Sequence, residues 1–172
     1  MDQKIEIILV DEQDNQIGTM EKMGAHQKGL LHRCFSIFIF NSQGEMLLQK
    51  RAVSKYHSGG LWTNACCSHP RVGEVLQKAA EERLFEEMGI RCELKEVFSF
   101  TYQAQVGDLT EHEFDHVFIG TFDGETVINP EEADGYKWIG LEQLKTDIEN
   151  YPETYTEWFK IIFERAIDEV SP

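Results

Sequence analysis

The sequence has no apolar run approaching the length of a membrane span, which argues against a helix-anchored membrane protein. Its opening residues, Met1-Asp2-Gln3-Lys4-Ile5-Glu6, lack the basic and apolar regions of a secretory leader, so a cytoplasmic location is expected. Basic residues are scarce: 16 Lys and Arg stand against 31 Asp and Glu, a formal net charge of -15. Nucleic-acid binding needs a basic stripe to neutralise phosphates, and this balance argues against it. The same field repels anionic substrates, which must be met by local cations or bound metal. Four cysteines (Cys34, Cys66, Cys67 and Cys92) are too few and too irregular for a disulfide scaffold. The neighbours Cys66 and Cys67 do not match the Cys-x-x-Cys spacing of a zinc ribbon or redox pair, so reduced thiols are expected. No repeat, low-complexity tract or Pro/Gly/Ser linker divides the chain. Residues 1–172 therefore read as one domain, large enough to bury a core.

What is present is a set of strand-like segments near Ile5–Val10, Cys34–Phe40, Met46–Lys50, Val97–Gln103, Glu113–Phe122 and Lys137–Ile139. Turn signals at Asn15-Gln16, Gln43-Gly44 and Asp123-Gly124 punctuate them. Between the early and late strands the spacing predicts one strong helix, about Glu74 to Met88. There Leu76, Ala80, Leu84 and Met88 recur every fourth residue and Gly89 stands as the stop. Two further helices are expected near Leu141–Glu149 and Thr154–Glu169. Strands with a few inserted helices, rather than strict alternation, indicate an α+β domain.

The central helix is acidic. Glu82 and Glu86 share one face, and alone they read as a solvated surface; Arg83 and Glu87 form a second pair four residues apart. The segment before the helix carries more information. In extended backbone, residues two apart face the same way, so Cys67 and His69 share a face while Cys66 turns away. Glu111-His112-Glu113 repeats the device, with both carboxylates on one side. His26 and His32 lie in and after an early polar loop. Three imidazoles and two carboxylates suit a divalent metal that takes mixed nitrogen and oxygen ligands.

These residues carry a resemblance. Ser68, Glu74, Glu82-Arg83, Leu84, Glu86-Glu87, Gly89 and Ile90 resemble a degenerate Nudix box. Ser68 stands for its first glycine, and Glu82-Arg83 inverts its Arg-Glu pair. The stretch Thr63-Asn64-Ala65-Cys66-Cys67-Ser68-His69-Pro70 is similar to the signature of type I isopentenyl-diphosphate isomerases. So are His26 and His32 with their spacing, the segment from Arg51 to Lys55, and Glu111 with Glu113. Tyr102 and Trp158 also fall where that family has an aromatic alcohol and an indole.

The resemblance implies a Nudix-type mixed β-sheet core flanked by helices. It implies that His26, His32, His69, Glu111 and Glu113 bind one divalent ion (Mn2+, Mg2+ or Zn2+). Glu87 would help hold a second ion, Mg2+, that bridges to a small diphosphate substrate, with Lys22, Arg51, Lys55 and Arg83 as diphosphate contacts. Cys67 and Glu113 would form the acid/base pair, Tyr102 would hydrogen-bond near Glu113, and Trp158 would steady a cation-like transition state. A monomer or weak dimer is expected. Two other readings share the fold: a Nudix pyrophosphohydrolase acting on a nucleoside or sugar diphosphate, and a non-catalytic Nudix-like binding module. The hydrolase has no need of Cys67, and the module has no need of the acid, base and ligand set.

Overall fold

A computed structural model describes residues 5–55 and 57–170. The first elements are β1 (Glu6–Val10), β2 (Gln16–Glu21) and a short helix α1 (Lys22–Lys28). Next come β3 (His32–Phe40), β4 (Met46–Arg51), β5 (Trp62–Thr63) and β6 (Cys66–Ser68). Helix α2 (Leu76–Met88) leads into a long hairpin, β7 (Lys95–Val106) and β8 (Leu109–Thr121). Strand β9 (Ala133–Ile139), α3 (Leu141–Asn150) and α4 (Glu157–Val170) complete the chain. Nine strands form one sheet organised around β3, the hub of its pairing. β3 pairs in parallel with β8 and antiparallel with β1, β4 and β6, so the sheet is mixed.

The alternation of β3 builds both layers of the core. Phe35, Ile37 and Ile39 turn to one face, where they pack with Ala80, Leu84 and Met88 of α2. Phe38 turns to the other, against Trp158, Phe159, Ile162 and Phe163 of α4. The α+β architecture expected from the sequence is what the chain adopts. Helix α2 starts at Leu76 rather than Glu74 and stops at Gly89, which takes the left-handed conformation (φ 67°) that glycine adopts without strain.

Two expectations need correction, and strand β2 is an element that none of the expected strands includes. The segment holding His26 is helix α1, not a loop. Glu21 caps it by accepting from the Met23 and Gly24 amides, and seven residues are too few to display a helical period. Strand β2 has a half-exposed pattern without clean alternation and escapes a periodicity reading. The last helix begins at Glu157 after a 3-10 turn at Pro152–Thr154, so Trp158 sits in its first turn. None of the helices among the described residues is long and apolar enough to cross a membrane.

Candidate active site

At one end of the sheet, side chains from β3, β4, β6, β7, β8, α2 and α4 enclose about 530 Å³ of empty space, mouth included. Its lining includes Lys22, Arg51, Lys55, His57, Cys67, His69, Arg83, Glu87, Tyr102, Glu111, Glu113 and Trp158. Every residue singled out from the sequence for a substrate or acid/base role therefore lines this one cavity.

Sheet register fixes the chemistry of its floor. Cys67 pairs with Ser36 on one side of β3, and Glu113 pairs with His32 on the other. Directly paired residues project to the same face, so the thiol and the carboxyl flank β3 with Cys34 and Ser36 between them. Tyr102 is the cross-strand partner of Glu113. Cys66, one residue away from Cys67, is fully buried under α2, as the alternation argument expects.

Two acceptors lie within reach of the thiol's single hydrogen. Cys67 Sγ lies 3.1 Å from Asn64 Oδ1 and 3.4 Å from Ser36 Oγ. Asn64 spends both amide hydrogens on the carbonyls of Ile37 and Cys66, which leaves its oxygen toward the sulfur. Ser36 donates to buried Asp115 Oδ2 at 2.7 Å. Burial, then the Asp115 charge, pushes the Cys67 thiol well above its ordinary range. Burial likewise raises Asp115 to about 7.

Four of the expected metal ligands converge. One ligand atom each from His26, His32, His69 and Glu113 lies within 4.8 Å of the others. His26 Nδ1 and His32 Nδ1 bond the main-chain carbonyls of Lys22 (2.7 Å) and Leu30 (2.8 Å), which turns both Nε2 atoms inward. A carbonyl behind the ring is the usual way a ligating histidine is oriented. His32 Nε2 and His69 Nε2 are buried without a hydrogen-bond partner among the described residues. Burial holds both rings neutral, with His32 down to about 4, and a neutral imidazole is the form with a lone pair to give a metal. Orphaned inward nitrogens beside a carboxylate fit a divalent cation.

Glu111 stands apart from this group of four. It shares His26 with a second group, completed by His57. The two carboxylates are driven in opposite directions. Burial and the Glu111 charge hold Glu113 well above the usual carboxylate range. Burial opposes ionisation of Glu111 too, but hydrogen bonds with Glu113, His26 and His57 hold it well below. His57 was not among the residues the sequence points to. Its partners lie far along the chain, and no local period marks a single histidine in a Ser/Gly-rich loop.

At the mouth the cations crowd together. Burial, then Lys55 and Arg51, lowers Lys22 to about 8, the signature of a positive cluster suited to an anion. Lys55 pairs with Glu132 at 2.5 Å, and Arg83 Nη2 contacts Glu87 Oε2 at 2.6 Å. Glu87 Oε1 accepts from Gln49 at 3.0 Å, so both its oxygens are engaged. Glu82 and Glu86 carry side chains more than half exposed and form the solvated face expected of them.

The fold and its acidic helix define the class: a NUDIX domain model matches residues 30–159. DR0079 of Deinococcus radiodurans superposes with a TM-score of 0.72 at 21% identity, over 84% of this chain and 89% of that one. A MutT protein of Methanosarcina mazei gives 0.68 at 21% identity, over 83% and 96%. Sequence relatives are much nearer. Isopentenyl-diphosphate Delta-isomerase 2 of Aromatoleum aromaticum is 55% identical over 94% of this chain and 86% of its own length. The protein of the same name from Photorhabdus laumondii is 57% identical over 91% and 89%. The chain belongs to the isopentenyl-diphosphate Delta-isomerase family of NUDIX domains.

Proposed function

We propose that the protein interconverts isopentenyl and dimethylallyl diphosphate. The observation that carries this reading is the placement of Cys67 and Glu113 on strands flanking β3 at the floor of a cation-mouthed cavity. The reaction adds a proton to the terminal alkene carbon and removes one from the carbon nearer the diphosphate. It therefore needs an acid and a base on opposite sides of a dry pocket. Cys67 and Glu113 are that pair, and Tyr102 stands beside Glu113 to orient it. Lys22, Arg51, Lys55 and Arg83 bind the diphosphate, Arg through bidentate contacts and Lys as compact charges.

His26, His32, His69, Glu111 and Glu113 would hold one divalent ion, Mn2+, Mg2+ or Zn2+. The ion would supply positive charge that tunes the acidity of Glu113. Glu87 would help hold Mg2+ against the diphosphate. One sheet with a core on each face supports a single domain, and four free cysteines suit the reducing cytoplasm. The hydrolase reading finds less support, since the relatives at 55% and 57% identity carry the isomerase name.

Incubation with isopentenyl diphosphate and Mg2+, followed by NMR, tests the proposal. The expected result is dimethylallyl diphosphate; release of phosphate or a monophosphate indicates a hydrolase, and no change indicates a binding module.

A second prediction concerns the metal. Elemental analysis of protein dialysed at neutral pH should find about one tightly held transition-metal ion per chain, lost in His69→Ala. The ion should leave as pH falls, because protons compete for the ring nitrogens: His26, where burial is outweighed by bonds to Glu111 that raise the ring, takes one up before His32, which burial holds down to about 4. Protein that holds no metal even after reconstitution would contradict the site.

The indole gives a third. Trp158 is 5% exposed, and the Arg51 guanidinium lies 5.1 Å from its ring centroid. If the indole face steadies the cation-like transition state, a desolvated cation–π contact of about 2 kcal/mol corresponds to roughly a thirtyfold change in rate. Trp158→Phe should retain part of the turnover, and Trp158→Leu should lose more despite similar apolar bulk. Equal turnover in the two variants would reduce Trp158 to a wall of the cavity.

A further inference from the structure

His57 touches three parts of the site at once. Its Nε2 lies 2.9 Å from Glu111 Oε1, while the other Glu111 oxygen faces His26 Nε2 at 3.1 Å. Its ring meets Trp158 edge-on, with centroids 5.5 Å apart and planes at 76°. Its main-chain carbonyl accepts from Arg51 Nη2 at 3.2 Å. The loop that carries it is tightly closed. Ser58 adopts a left-handed conformation (φ 54°), rare for a residue with a side chain, and its hydroxyl lies 3.2 Å from His57 Nδ1. A Cβ on Gly59 would come within 2.7 Å of the Val53 carbonyl oxygen, so that approach requires glycine.

From these contacts we infer that His57 is a positioning residue, bracing Glu111 from behind and Trp158 from the side. The inference rests on the isomerase reading above. An imidazole nitrogen stands against each oxygen of the carboxylate, which limits its rotation. His26 belongs to both groups able to hold an ion and His57 only to the one with Glu111, so His57 is the brace that remains on Glu111 when the four-residue group holds the ion. The same ring fixes the tilt of the indole through edge-to-face packing. Arg51, a diphosphate contact, is tied to the main chain of His57, so one loop residue joins the anion end of the cavity to its metal end.

Three variants separate these contacts. His57→Phe keeps a ring against Trp158 and removes the nitrogen; His57→Gln keeps a donor within reach of Glu111 and removes the ring; His57→Ala removes both. Zn2+ affinity is measured by competition with a chromogenic chelator, and kcat and KM for isopentenyl diphosphate are measured in parallel. Loss of a group that supports a metal ligand typically weakens binding by about 10- to 100-fold, and that loss is expected for Phe and Ala. Gln should restore most of the affinity. In Ala, kcat should fall while KM stays within about twofold, because the bond to Arg51 uses a carbonyl that every variant retains. Wild-type Zn2+ affinity in the Phe variant, which preserves the packing and so the fold, would overturn the role of His57. Absence of Zn2+ binding in the wild type would instead overturn the metal-site reading on which it rests.

Discussion

Cys67→Ala is expected to lower turnover by about 10²- to 10⁴-fold, the range for removing an acid or base from a positioned pair. Melting temperature should barely move, because Cys67 is only partly buried and faces the cavity. Cys66→Ala should do the reverse. That side chain is fully buried among Ala65, Ala80 and Leu84, so shortening it leaves a small void beneath α2. A cost of about 1 kcal/mol lowers the melting point of a domain this size by roughly 2–4 °C, with turnover below the transition near that of the wild type. The two neighbours thus separate chemistry from packing at nearly the same point in the chain. Turnover and melting are read on both variants side by side. Equal loss of turnover in the two, with unchanged melting, would remove Cys67 from the acid/base pair.

Much of this contrast is legible in the sequence because it follows from one local rule. Alternation in extended backbone sends Cys67 and His69 to one face and Cys66 to the other, and Glu111 and Glu113 obey it as well. The intervening His112 turns away and its Nδ1 bonds the Gly29 carbonyl at 3.1 Å. The period of α2 is equally local. What local rules do not reveal is pairing across the sheet. Nothing near residue 36 announces that Ser36 will stand between Cys67 and Asp115, since that depends on β3 receiving β6 on one side and β8 on the other. His57 is hidden for the same reason, its partners Glu111 and Trp158 coming from β8 and α4. The expected five-ligand set also separates in part: Glu113 joins the three imidazoles, while Glu111 is drawn toward His57.

That separation makes Glu113→Gln the sharper test of how the two carboxylates differ. Glutamine is close to isosteric and keeps an oxygen for a metal, but its amide neither gives nor takes a proton near neutral pH. If Glu113 exchanges a proton with the substrate, turnover should fall by about 10²- to 10⁴-fold, and excess Mg2+ or Mn2+ should not restore it. Glu111→Gln should behave differently. The wild-type Glu111 carboxyl is held ionised by its neighbours, so the contribution expected of it is charge and ligation rather than proton exchange. Its loss should weaken metal binding, and saturating metal should recover much of the turnover. Glu113 is the opposite case, a carboxyl pushed up by burial and by the Glu111 charge, which is the condition of a group able to carry a proton at neutral pH. Titrating both variants with Mn2+ while following turnover and bound metal distinguishes the roles. Should excess Mn2+ rescue Glu113→Gln as fully as Glu111→Gln, then Glu113 acts only as a ligand, and the partner of Cys67 must be sought elsewhere on the cavity wall, with Tyr102 across the ladder as the nearest alternative.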